Sequence, residues 1–167
     1  PHPAEPAQQS CGSIGAADGS PDSGAVYVFA RNGAAWDHQA YIKASNANAL
    51  DLFGYAVSLS SDGHMLAVSA VDEASSARGL NGAQDDNTVS NAGAAYVFRR
   101  EGSTWRQSSF IKATNTDAVL RFGYSIALSG NGQTLAVGPV REDSAATGIG
   151  GDQNDTSAPG SGAVYLY

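Results

Sequence analysis

The chain repeats itself with a period of 69 residues. Residues 23–29 read SGAVYVF, and related segments at residues 92–98 and 161–167 read AGAAYVF and SGAVYLY. The glycine in each segment stands 69 residues from the next one, so no net insertion or deletion separates the copies. A fixed period of this length is typical of a unit that stacks on its neighbours, because one unit cannot bury its apolar face alone. The sequence therefore predicts an array of units.

Each unit is predicted to hold four short strands. Residues 53–60 alternate large apolar and small side chains, which is typical of a half-buried strand, and a Ser-Asp-Gly turn leads to a second strand at residues 65–70. A long polar loop follows, and then a third strand at residues 94–99, a turn at residues 101–103 and a fourth strand at residues 107–113. No window keeps a 3.6-residue apolar period, so no helix is expected.

Four hairpin-linked strands repeated in register predict an all-β fold, with β-propeller blades of four antiparallel strands. A β-solenoid is the alternative, but its coils are usually much shorter than this repeat. The chain then divides into residues 1–52, the C-terminal part of a first blade, residues 53–121, a complete second blade, and residues 122–167, the N-terminal part of a third. Because a propeller closes with about four to eight blades, we expect an incomplete ring here. Further blades are expected from the same parent chain or from other copies.

The charge of the chain argues against two classes of partner. The net charge is −7, and the nine lysine and arginine residues form no run. Nucleic acids and anionic membranes both attract clusters of basic side chains, so neither is an expected partner. No apolar stretch approaches the roughly 20 residues of a membrane-spanning helix, so membrane insertion is not expected either.

The repeat resembles the FG-GAP repeat family, which includes the propellers of integrin alpha-subunits and many bacterial surface proteins. The dipeptides at residues 53–54 and 122–123 match its Phe-Gly element, and residues 135–139 are similar to its Val-Gly-Ala-Pro element. The strand at residues 24–29, followed by Trp36, is similar to the bacterial branch. The resemblance implies a non-catalytic, extracellular or cell-surface β-propeller module of a bacterium, used for adhesion or protein–protein interaction.

The resemblance raises the question of whether the chain binds calcium. Integrin-type repeats often carry an Asp-rich calcium loop between the first two strands, but residues 60–63 and 129–132 hold at most one carboxylate each. Ca²⁺ prefers about six to eight oxygen ligands, so calcium is not expected there. The acidic residues lie instead in the long loops, which either fold around Ca²⁺ or form solvated turns. The candidate metal ligands are Asp72, Glu73, Asp85, Asp86, Glu142, Asp143, Asp152 and Asp155.

Nothing in the sequence predicts catalysis. There is no Gly-x-Ser-x-Gly motif and no set of histidine and aspartate residues that supports a triad, so we expect no enzyme activity in this chain. Trp36 and Trp105 could stack on a carbohydrate, but their repetition favours packing between blades. The partner is expected to be a protein or glycan. The alternatives are a structural, self-assembling segment and an accessory propeller of an enzyme whose catalytic domain lies outside this chain.

Overall fold

The computed structural model describes residues 20–167, which form β-strands and no helix. The strands are β1 (Val26–Asn32), β2 (Ala35–Ile42), β3 (Phe53–Leu59), β4 (Met65–Ala70), β5 (Ala94–Glu101), β6 (Thr104–Ile111), β7 (Ser125–Leu128), β8 (Leu135–Gly138) and β9 (Tyr165–Leu166). They form three antiparallel sheets, in the orders β1-β2, β3-β4-β5-β6 and β7-β8-β9. This arrangement confirms the all-β prediction and is consistent with partial propeller blades. Within residues 20–167 no helix is long and apolar enough to cross a membrane.

The second sheet holds four strands in sequence order, as the repeat predicts. The predicted second strand coincides with β4, and the predicted first strand is one residue longer than β3. The fourth strand differs, because β6 starts at Thr104 and ends at Ile111 rather than spanning residues 107–113. It starts early because the turn is tight, so that Glu101 pairs directly with Thr104. Pairing with β5 ends at Ile111, and Gly79 of the long loop then exchanges backbone hydrogen bonds with Lys112 and Ala113.

Two apolar cores lie between consecutive sheets, and each joins unlike surfaces. The side of the second sheet that faces the first carries large rings, including Tyr96 and Phe98. Its opposite side carries aliphatic residues, such as Ala67, Ala95 and Val97, and packs against Phe122 of the third unit. The aromatic side of one sheet meets the aliphatic side of the next. Equivalent sheets can therefore stack in one orientation and pack as densely as a protein interior.

The neighbouring sheet decides which aromatic residues are buried. Trp105 is partly buried against the first core and donates its indole N–H to the Gln39 side chain at 3.1 Å. Its equivalent Trp36 is 67% exposed, since nothing in residues 20–167 covers that side of the first sheet. Tyr27 is likewise exposed, while its equivalent Tyr96 is fully buried. Packing between blades, which the repetition favoured, is therefore seen for Trp105 and not for Trp36.

Candidate functional site

The long loop after β4 is anchored by a buried ion pair. The Lys112 ammonium, just beyond β6, lies 2.6 Å from the Glu73 carboxylate, and both side chains are fully buried. The other carboxylate oxygen of Glu73 accepts hydrogen bonds from the Asn46 side chain and the Ser75 backbone N–H. Burial lowers the pKa of Lys112, and the charge of Glu73 partly offsets that effect. The pair therefore ties the loop to the fourth strand and, through Asn46, to the preceding sheet.

A second buried carboxyl lies close to this pair. Asp51 is 2% exposed and accepts a hydrogen bond from the Asn48 backbone N–H at 2.8 Å. Burial is the main reason that its pKa rises to about 6, and the negative charge of Glu73 adds to the rise. The equivalent residue one repeat later is the buried Leu120, so the position does not need a charge.

We expect the replacement Asp51→Asn to raise the free energy of unfolding at pH 7 by about 1–3 kcal/mol. Because the pKa is higher in the folded chain, the folded state binds more protons between about pH 4 and 6 than the unfolded state. The stability of the unmodified chain therefore falls as the pH rises through that window, and the stability of the variant should not. Urea unfolding of both proteins at pH 4, 5, 6 and 7 measures the free energy of unfolding. If it depends on pH in the same way in the variant, Asp51 is not the group with the raised pKa.

Hydrogen bonds within the loop recur in both copies. Asp86 accepts from the hydroxyl and backbone N–H groups of Thr88 and Ser76, and these bonds, led by the Thr88 hydroxyl, lower its pKa to about 2. Asp155, its equivalent, accepts from Ser157 and from the Ala145 backbone N–H, and its pKa is also lowered, first by the Ser157 hydroxyl. The two loops therefore share one internal scaffold.

A polar groove lies between each long loop and the end of the preceding fourth strand. The first groove has a volume of about 620 Å³ and is lined by residues 45–48 and 82–87 except Asp86. The second has a volume of about 260 Å³, and its lining includes residues 115–118 and 153–156, one repeat later. Ser45 donates to Gln84 across the first groove, and Thr114 donates to Gln153 at the equivalent place. The grooves thus present amide and carboxylate groups at both sheet junctions.

The eight predicted metal ligands are placed in different surroundings. Asp72 pairs with Arg121 at 3.3 Å, and Glu73 pairs with Lys112. Asp143 accepts from the Gly160 backbone N–H. Asp85 and Asp86 lie on the first long loop, and Glu142, Asp152 and Asp155 lie on the second.

No group of three or more His, Cys, Asp or Glu side chains that could hold a metal ion occurs within residues 20–167. Glu73 already pairs with a lysine, and Asp86 already accepts bonds from its own loop. Calcium binding in these loops stays a prediction that only a measurement with the metal can test.

Sequence reasoning missed Lys112 and Asn46 as the partners that anchor the loop. The available signal was the segment Ile-Lys-Ala-Ser/Thr-Asn, which is present at residues 42–46 and 111–115. A lysine that recurs inside an apolar strand needs a buried counter-charge, and Glu73 recurs with it as Glu142.

Residues 36–98 match the model of the FG-GAP repeat family. This part of the chain is similar to an FG-GAP repeat. The matched segment includes the Phe-Gly dipeptide at the start of β3, and the structure explains its glycine. Gly54 has a φ of +96°, and a Cβ there would lie 2.9 Å from the Ala25 carbonyl oxygen of the preceding unit. No curated protein matches the chain significantly.

Proposed function

We propose that this chain is a non-catalytic β-propeller module of a cell-surface or secreted bacterial protein, and that it binds a protein or glycan partner. Adhesion is the role that this arrangement supports best. The FG-GAP match suggests a β-propeller-like protein interaction module. The observation that carries the proposal is the repeated polar groove at the sheet junctions, formed by loops with the same internal scaffold. Loops held by a rigid scaffold are where binding residues concentrate.

The chemistry of the first groove suits a hydrogen-bonding ligand. Asp85 and Asn87 are exposed on the loop, and the Asn48 amide lies 3.4 Å from the Asn87 side-chain oxygen. Amide and carboxylate groups bind sugar hydroxyls and peptide N–H groups, both of which offer several donors. The hydrogen bonds of Asp86 within the loop do not involve these exposed side chains. The residues that line the groove can therefore be replaced without unfolding the loop.

The test is binding of the labelled chain to a glycan array and a peptide array. The double variant Asp85→Ser, Asn87→Ser should bind the selected ligand at least about tenfold more weakly, because two hydrogen-bonding side chains are lost. The matched control is Asp37→Ser, an exposed carboxylate on β2 that lies outside the groove. No binding on either array, or equal binding by the double variant, would contradict the proposal. Repeating the titration in calcium and in EDTA tests the metal prediction.

A further inference from the structure

The first groove continues into another groove at the same junction between the first two sheets. This outer groove has a volume of about 550 Å³ and lies between β2 on one side and the start of β6 on the other. Ser45 lines both grooves. Together they form one continuous cleft, the junction cleft, which runs from the long loop to the turn between β5 and β6.

Hydrogen bonds between the two units hold the walls of the junction cleft. At its outer end, the indole N–H of Trp105 donates to the side-chain oxygen of Gln39 at 3.1 Å. In the middle, the Gln107 amide donates to the Ser45 hydroxyl at 3.0 Å, and the Ser45 backbone N–H donates back to Gln107 at 3.3 Å. At the loop end, the Ser45 hydroxyl donates to Gln84 at 2.6 Å. The cleft is therefore preorganised, which lowers the entropy cost of filling it.

Hydrogen-bonding groups remain available at both ends of the cleft. Gln39 and Gln84 use their side-chain oxygens in the bonds above, and their NH₂ groups donate to no group among residues 20–167. The outer end also has the exposed hydroxyl of Thr104. The loop end also has the exposed side chains of Asp85 and Asn87. A ligand that fills the cleft therefore has to supply both donors and acceptors along its length.

Trp105 adds a flat apolar surface to these polar groups. Its side chain packs against the first core but is only partly buried, and it lines the outer groove. A sugar ring has C–H groups on its faces and hydroxyl groups around its rim. Such a ring can stack on an indole while its hydroxyls bond to neighbouring amides. The outer end of the cleft therefore suits a sugar.

A peptide matches the junction cleft less well than a sugar does. An extended peptide has its donors and acceptors on the backbone, and its side chains need pockets of their own. An apolar side chain placed over Gln39 or Gln84 would leave an amide NH₂ without an acceptor, which costs free energy. A sugar avoids this cost, because its hydroxyls surround the ring that stacks.

We propose that the junction cleft binds an extended neutral oligosaccharide, with one sugar ring stacked on Trp105 and further sugars bonded to Asp85 and Asn87. The inference rests on the proposed function, and it selects a glycan over a protein as the partner. The oligosaccharide is neutral because Asp85 is the one exposed charged side chain among the described lining residues. Lys43 also lines the cleft, but it is partly buried and donates to the Ser23 hydroxyl.

Tryptophan emission tests the proposal, because the chain has two tryptophans and one of them lies outside the cleft. The variant Trp36→Phe leaves Trp105 as the reporter, and it is titrated with cellohexaose, mannohexaose, chitohexaose and maltohexaose. We expect a saturable change in emission with at least one of them. That hexasaccharide should bind at least about tenfold more tightly than the corresponding disaccharide, which is too short to span the cleft.

The matched control is Trp105→Leu, which keeps Trp36 as the reporter. Trp36 is 67% exposed, and its emission should not change with any of the sugars. Calorimetry should show the selected hexasaccharide binding to this variant at least about tenfold more weakly than to the unmodified chain. The double variant Asp85→Ser, Asn87→Ser should weaken binding by a similar factor, since these residues lie at the other end of the cleft. If Trp105→Leu fails to fold, the emission of Trp105 in Trp36→Phe still decides.

The outcomes separate this inference from the proposed function. Peptides that need Asp85 and Asn87 but leave the emission of Trp105 unchanged would overturn the inference, and the proposed function would stand. No binding on the glycan or peptide array would overturn both. The inference also fails if none of the four hexasaccharides changes the emission of Trp105 up to about 10 mM. A disaccharide that binds as tightly as the hexasaccharide would exclude a ligand that spans the cleft.

Discussion

Replacing Lys112 with methionine is expected to lower the free energy of unfolding by about 3–5 kcal/mol, because Glu73 is then left as an unpaired buried carboxylate. Both side chains are fully buried and 2.6 Å apart. The methionine fills a similar volume, so the loss reports on the missing charge rather than on a cavity. Urea unfolding followed by circular dichroism measures the change.

Two further variants separate this effect from general damage. Lys43 occupies the equivalent position one repeat earlier, is only partly buried and donates to the Ser23 hydroxyl. Because its side chain is only partly buried, Lys43→Met should cost less than Lys112→Met. Adding Glu73→Leu to Lys112→Met should recover part of the loss, since an apolar pair can replace a buried ion pair. A loss below about 1 kcal/mol for Lys112→Met alone would show that the pair does not hold the loop.

The replacement Gly93→Ala is the second change with a large expected effect, a loss of about 3–5 kcal/mol. Gly93 has a φ of +81°, which alanine adopts only with strain. A Cβ there would also lie 2.3 Å from the Phe122 carbonyl oxygen and 2.5 Å from its nitrogen. Because those are backbone atoms, the second and third units would have to move apart.

The control for this variant is Gly102→Ala, in the turn between β5 and β6. Gly102 has a similar φ of +63°, but no atom lies within 4 Å of a Cβ built there. Its free energy of unfolding should fall only by the strain of alanine at this φ, about 1–2 kcal/mol. The difference between the two losses is then the cost of the steric clash between neighbouring units. Equal losses would mean that the junction near Phe122 is loose.

Strands were predictable where a single unit contains all the relevant contacts. The strand β4 matches its prediction because a Ser-Asp-Gly turn and an apolar run define it locally. The sequence predicts that the fourth strand ends at residue 113, but pairing with β5 ends at Ile111, and the next two residues bond to Gly79, more than thirty residues earlier in the chain. Periodicity alone does not distinguish pairing with a strand from pairing with a loop.

The roles of the acidic residues in the long loops also depend on contacts that the sequence of one unit does not contain. The sequence predicts that their acidic residues form either a cation site or solvated turns, and both hypotheses treat the carboxylates as one group. The structure gives them separate roles: Glu73 is buried against a lysine, Asp72 pairs with an arginine, and Asp86 bonds to its own loop. Composition cannot separate these roles, because burial and partner choice depend on residues from other strands and from the preceding unit.

The sequence by itself determined the 69-residue unit, its four-strand pattern and its FG-GAP resemblance, because turns and alternating side chains act over short distances. Only the tertiary structure decided which copies of a repeated residue are buried. Trp36 and Trp105, or Lys43 and Lys112, have equivalent positions in the repeat but different exposure. The physical reason is that burial depends on the sheet stacked next to each unit, and the local sequence of a unit carries no record of that neighbour.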